Sequence, residues 1–256
     1  MSETALDLRP APGPAPVGRR LAAQTAMELR LMLRNPEQLL LTIAIPTILL
    51  VLFASAPIAD LPKPRIDYLV PGVLALAVMS TAFTGQAIGT GFERRYGVLR
   101  RLGTTPLQRP NLLAAKTGGV LVIEALQVAL LSVVGLAFGW SPHGNPAAVV
   151  ALLLLGTAAF SALGLLMAGT LRAEATLAAA NLVYLLFLVL GGVAFPLNGL
   201  SPGVRHVLDL LPISALANGL RIVLRDGQSV PVHDWATLAV WAVVAGLAAA
   251  RWFRWD

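Results

Sequence analysis

The chain has 256 residues, 57% of them hydrophobic and 12% charged, with a mean hydropathy of +0.75. So little polar surface cannot clothe a water-soluble globule of this size, which argues against a soluble helical protein and makes the bilayer the expected solvent. The net charge of +6 would suit nucleic acid, but membrane proteins gather Lys and Arg in loops on one side, and with no cysteine there is no disulfide framework, thiolate metal site or cysteine nucleophile.

Residues 1–16 carry prolines at Pro10, Pro12, Pro14 and Pro16 and no apolar run behind a basic start. Alternating prolines cannot build a hydrogen-bonded element, so a disordered cytoplasmic tail is expected rather than a signal peptide, ahead of a membrane domain over residues 17–256. Val17 to Asn35 reads as a helix on the membrane surface. At about 100° per residue, Ala22, Ala26, Leu29 and Leu33 share one arc, and Arg19, Arg20, Gln24, Glu28, Arg30 and Arg34 share another. The same charges would equally serve as a plain positive-inside anchor.

A transmembrane helix needs roughly 20 apolar residues. Six runs approach that length: Leu39 to Ala56, Tyr68 to Gly89, Thr117 to Phe138, Ala147 to Thr170, Leu177 to Phe195 and Trp235 to Ala250. Asp67 and Asp234 stand where N-caps belong, and Asn145-Pro146 is a cap followed by proline at the first helical position. Fourteen of the 19 Lys and Arg residues fall on the side holding the N-terminal segment, the loop from Gly91 to Lys116, the 171–176 turn and the C-terminus, against five on the other. Both termini are therefore expected inside, and nucleic-acid binding loses its only support. The fold class is all-α integral membrane.

Between the second and third runs, Phe92 to Lys116 is the longest interior loop. Helix formers run to Leu102, then Gly103, Thr104, Thr105 and Pro106 break the chain. The charges Glu93, Arg94, Arg95, Arg100 and Arg101 fit a solvated positive-inside face or a docking knob for a soluble partner. On the outer side, Gly191 to Gly227 is too broken for a span. Ser201-Pro202 would start one short amphipathic helix that Pro212 ends, and Ser214 would open a second that Gly227 stops, both lying on or dipping into the outer leaflet.

Few polar residues occur inside the spans. Glu124 is the costliest, and Glu124 with Gln127, like Asn181 with Tyr184, sits three residues apart on one helical face. These pairs and Gln86 are candidates for a pathway or helix interface; Glu124 fits either a cargo- or proton-linked role or a satisfied interhelical hydrogen bond. Gly85 and Gly89 form a GxxxG spacing that suggests close helix packing. No Gly-rich loop ending in Gly-Lys-Ser/Thr occurs, so ATP binding in the P-loop manner is not expected of this chain. The histidines His143, His206 and His233 lie scattered in exterior loops, no zinc or HExxH spacing occurs, and no intramembrane histidine pairs with Ser132 or Ser161, which leaves an enzyme reading little to stand on.

These residues resemble the permease subunits of bacterial ABC-2 type exporters, including the daunorubicin-resistance-like drug efflux permeases. The resemblance spans nearly the whole chain and is strongest over Glu93-Arg94-Arg95-Tyr96-Gly97-Val98-Leu99-Arg100-Arg101-Leu102, followed by Thr105-Pro106 and Lys116. It also includes Arg34-Asn35-Pro36, Pro46, Gly191 to Pro196 with Leu211-Pro212, and the tail Phe253-Arg254-Trp255-Asp256. Departures are Val98, where Thr is common, and Ala115, where Gly precedes the Lys.

The resemblance implies a homodimer or paralogous pair of six-helix permeases in a bacterial inner membrane. Each would dock on a cytoplasmic ATPase subunit that binds ATP and Mg, with no cofactor on this chain. It makes Glu93, Arg94, Arg95, Tyr96, Gly97, Arg100, Arg101, Thr105 and Pro106 the ATPase-coupling loop, and Pro196, Pro202 and Pro212 part of an outer re-entrant segment. The expected activity is efflux of a drug-like or lipid-like compound. Export of a polysaccharide or lipid-linked glycan, and a scaffold that moves nothing, are the rival readings.

Overall fold

The computed structural model describes residues 13–55, 62–105, 107–193 and 201–254, and every regular element among them is helical. Two helices open the chain, α1 (Val17–Leu33) and α2 (Pro36–Ser55). A continuous rod follows, made of α3 (Arg65–Val78), a π-helical stretch (Met79–Gly85) and α4 (Gln86–Arg95). The short α5 (Val98–Leu102) leads to α6 (Arg109–Ala137), α7 (Pro146–Thr170) and α8 (Ala173–Leu190). The bent pair α9 (Pro202–Asp209) and α10 (Pro212–Leu224) precedes α11 (Val232–Trp252).

Among the described residues five helices are long and apolar enough to cross a bilayer, the 31-residue rod Arg65–Arg95, α6, α7, α8 and α11, or six if the bent pair α9–α10 is one span. The first expected span is α2, 20 residues with a shorter described apolar stretch, Thr42–Ser55. The chain is therefore a multi-pass helical membrane protein. The helices overrun the expected boundaries because helical hydrogen bonding continues past the apolar run: Glu93, Arg94 and Arg95 are still helical at the end of the rod.

The rod is the core. Nearly all of α3 is buried, against α2, α6, α7 and α10, while the π stretch and α4 meet α7 and α8. A π turn is rare and tends to sit where a helix does something besides packing. Gly164 of α7 makes the closest approach to the rod: a Cβ there would lie 2.7 Å from the Phe83 carbonyl oxygen. Gly89, by contrast, has nothing within 4 Å, so the Gly85/Gly89 spacing is not a packing face within this chain. Outward faces of α6, α8 and α11 expose Val133, Leu182, Leu185, Val240 and Leu247, as lipid contact requires.

Several local expectations are corrected. Asp67 and Asp234 are not N-caps, because Pro64 and Pro231 hold the cap positions and each helix starts one turn earlier. Both aspartates stay in the first turn, where the helix dipole favours them. Asn145 does cap α7, its side chain accepting from the Ala147 N–H at 2.9 Å. Pro212 does not end α9 but opens α10, at the position where a missing N–H costs nothing, so Ser214 lies inside that helix. Together α9 and α10 are apolar and long enough to form a bent span or a re-entrant segment, and α10 packs inside the bundle. Leu216, Leu220, Val223 and Leu224 are buried with most of its other residues against α3, α7 and α11, whereas α9 keeps Val204 and Val207 exposed.

The first helix is also turned differently from its hydrophobic arc. Thr25 and Glu28 pack on Gly118 and Gly119 of α6, while Ala22, Ala26 and Leu33 face outward. A helix that docks through a polar stripe and shows its apolar face outward is suited to lying in the membrane interface.

Candidate functional site

At the end of the rod the charged loop residues divide into two sets. Lys116 of α6 donates to Glu93 at 2.5 Å and to Glu28 of α1 at 2.9 Å, so one buried ammonium ties three helices together. Gln24 adds a hydrogen bond to Glu28 at 2.7 Å. Arg94 reaches across to the C-terminal end of α7 and donates to the carbonyls of Ala168 (2.8 Å) and Leu171 (2.6 Å), where a cation meets the negative end of the helix dipole. Arg95 pairs with Glu174 at the start of α8.

Expected on the docking surface, Glu93 and Arg94 thus have their charges committed inside the subunit. The loop residues that face outward include Tyr96, Val98, Arg100 and Arg101, with Arg95 half-exposed beside its partner Glu174. Tyr96 stacks on Phe92 at 6.2 Å between ring centroids. Gly97, with φ of +73°, supplies the left-handed turn that redirects the chain from α4 into α5. Leu99 is completely buried in a small core with Leu112, Leu165, Ala249 and Phe253, so the five-residue α5 is anchored from below and exposes its arginines above. Thr105 bonds back to the Leu102 carbonyl at 2.6 Å, closing the turn; Pro106 lies outside the described residues.

Mid-bundle, the polar residues bond across helices, while Gln86 Nε2 and Glu124 Oε1 are buried without a partner. Gln127 accepts from Thr81 of the π stretch (2.7 Å) and donates to the Thr42 carbonyl of α2 (2.8 Å). Glu124 accepts from Thr157 of α7 at 2.5 Å through one oxygen, an interhelical hydrogen bond that leaves its buried Oε1 without a partner. Gln86 accepts from Ser161 at 3.0 Å. Although Glu124 and Gln127 share a helical face, they serve different neighbours, both within this one subunit.

Asn181 and Tyr184 do reach a cavity. Together with Asn35, Thr42 and Ile45, with Ser80, Thr84, Gly85 and Ile88 of the rod, and with Leu177, they line a space of about 410 Å³ between α2, the π stretch and α8. No charged side chain lines it among the described residues. The Thr84 and Tyr184 hydroxyls are buried and lack hydrogen-bond partners, while Asn181 bonds back to Leu177 at 2.9 Å. Unmatched hydroxyls beside aliphatic carbons are what an amphipathic guest needs: apolar area to cover and a few donors or acceptors to satisfy.

At the other end of the rod, Pro202 opens α9 and Pro212 opens α10, and the two helices meet at 90°. Pro196 lies outside the described residues. Arg221, expected in the second short helix of the outer segment, donates through its guanidinium to the Val193 (2.6 Å) and Tyr68 (3.3 Å) carbonyls and stacks 4.0 Å from the Tyr68 ring. Gly72 makes room for it: a Cβ there would stand 2.7 Å from its Nη2. Lys116, Gly164 and Arg221 had no local signal beyond residue type, because the partners of each are far away in sequence.

Residues 20–224 match the family model described as ABC-2 type transporter. No curated protein matches the chain.

Proposed function

The chain belongs to the ABC-2 type transporter family, and we propose that it is the transmembrane permease subunit of an ATP-binding cassette exporter for an amphipathic, drug-like or lipid-like compound. In this reading the basic end of the bundle is cytoplasmic, as the Lys and Arg asymmetry favours, in a bacterial inner membrane. Two copies of a separate ATPase bind the ATP and Mg, and a second permease copy completes the path.

The carrying observation is that knob and cavity share one rod. The 31-residue helix that ends at Arg95 forms, through Ser80, Thr84, Gly85 and Ile88, one wall of the 410 Å³ cavity. A partner that moves Arg100 and Arg101 moves α5, and Leu99 passes that displacement into the core beneath it, beside the end of α7 that Arg94 holds. ATP binding can shift the permease only through contacts that differ between two states, and this path supplies them. The uncharged lining, with Tyr184 as its one aromatic, suits an amphipathic cargo better than a glycan, which aromatic platforms would hold.

Proteoliposomes holding the permease with its ATPase provide the test. ATP-dependent movement of an amphipathic dye is expected, with loss of both movement and ATPase association on R100E/R101E. Transport without any ATPase would sink the reading. ATPase association that persists without movement of any amphipathic or glycan cargo would favour the scaffold.

A further inference from the structure

The pocket between the bent α9–α10 pair and the start of α11 has no part in the path just described. It encloses about 490 Å³ and includes Tyr68, near the beginning of the rod. The docking knob is at the rod's other end, roughly 45 Å away at the helical rise of about 1.5 Å per residue.

Its formal charges balance, but they are not paired off one to one. Arg205, Arg221 and Arg225 line it with Asp209, Asp226 and Asp234. Two of the carboxylates are engaged: Asp234 accepts from Asn218 at 2.8 Å and lies 3.5 Å from His233, and Asp226 lies 4.0 Å from Arg225. Arg221 is held by two carbonyls and a ring face, and no carboxylate meets it among the described residues. Carbonyls solvate a guanidinium without neutralising it. Arg205 makes no hydrogen bond or ion pair among the described residues. Ser214, 94% buried at 6% exposure, lines the same pocket with its hydroxyl unpartnered. Arg205 and Arg221 thus have no carboxylate partner and the Ser214 hydroxyl no partner at all, while Asp209 and Asp234 are carboxylates that no arginine meets among the described residues.

We propose that this pocket binds a phosphate group, either the head group of an anionic lipid or a soluble phosphate ester. Arg is the side chain whose planar fork matches phosphate oxygens, and a buried hydroxyl supplies a further donor. A mixed-charge rim around such a centre would also accommodate polar groups attached to the phosphate. The site does not depend on transport or on the ATPase.

The test uses the full chain purified in detergent micelles, with two probes. Glycerol 3-phosphate is titrated by calorimetry, and retention of phosphatidylglycerol is compared with diacylglycerol by native mass spectrometry. Binding of glycerol 3-phosphate identifies a soluble ester as the source; retention of phosphatidylglycerol alone identifies the lipid head group. In either case Arg205→Gln weakens binding about tenfold, the loss of one charge-assisted hydrogen bond, while Arg251→Gln, on the exposed far end of α11, leaves it unchanged. Ser214→Ala, which breaks no hydrogen bond within the chain, also weakens it and guards against a folding artefact at Arg205. Failure of both probes to bind, binding indifferent to Arg205→Gln and Ser214→Ala, or equal loss with Arg251→Gln overturns the proposal.

Discussion

The ammonium of Lys116 stands 2.5 Å from the carboxylate of Glu93, and its remaining hydrogen bond goes to Glu28, 88 residues away in sequence. One cation between two acids, with the Lys116 side chain only 3% exposed, makes this junction sensitive to which member is removed. It also binds the surface helix α1 to the end of the rod, so neither can move without the other.

Lys116→Met strips the cation and leaves two carboxylates facing each other away from water. Removing one partner of a buried ion pair costs about 3–5 kcal/mol, read as loss of thermal or denaturant stability in micelles. Glu93→Gln costs less, because Lys116 keeps Glu28. Arg100→Gln leaves stability unchanged and weakens ATPase association, which separates the junction from the docking surface.

Leu99 anchors α5, and Leu99→Ala opens a cavity beneath a five-residue helix that has little else to hold it. A buried Leu→Ala change costs about 2–5 kcal/mol where the site cannot collapse; here the helix should detach instead. Limited trypsin digestion is therefore expected to cut faster after Arg100 and Arg101 in the variant, while the melting temperature of the bundle barely changes. Equal cleavage rates would show that α5 is held by something other than Leu99.

Gly164→Ala places a methyl 2.7 Å from a backbone carbonyl that cannot rotate aside, and overpacking of this kind costs about 1–3 kcal/mol. Gly89→Ala meets nothing within 4 Å and should be neutral or stabilising by up to about 1 kcal/mol. Paired thermal melts decide between them. If instead Gly89→Ala weakens dimerisation in crosslinking while stability holds, that glycine packs against the second copy.

Tyr184→Phe and Thr84→Val remove hydroxyls that have no partner, so neither should lower stability. Both are expected to raise the apparent KM for transported dye severalfold, since a guest in the cavity loses a hydrogen bond worth about 0.5–1.5 kcal/mol. Unchanged transport in both variants would place the cargo path elsewhere.

Hydropathy alone located the five helices long and apolar enough to cross a bilayer among the described residues, because about 20 consecutive apolar residues have no other low-energy environment. The charged helical loop after the second span was equally legible, from the run Glu93 to Leu102 and the break at Gly103. What each charge does was not. Glu93 and Arg94 look in sequence like Arg100 and Arg101, yet helical phase and the nearby ends of α6 and α7 turn the first pair inward. Similarly, nothing local to Glu124 marks that α7 brings Thr157 within 2.5 Å of it.

The docking knob therefore gained a division that composition could not contain. The sequence by itself determined a helical membrane protein and its family, because burial of apolar surface and turn chemistry are local and add up along the chain. Only the tertiary structure decided that Lys116 clamps three helices, that Gly164 admits the rod, that Asn181 and Tyr184 share a cavity with the π stretch, and that Arg221 lies under a polar pocket. Hydrogen bonds and close contacts depend on which helices are neighbours and at what rotation, and residues 28 and 116, or 68 and 221, carry no local mark of their pairing.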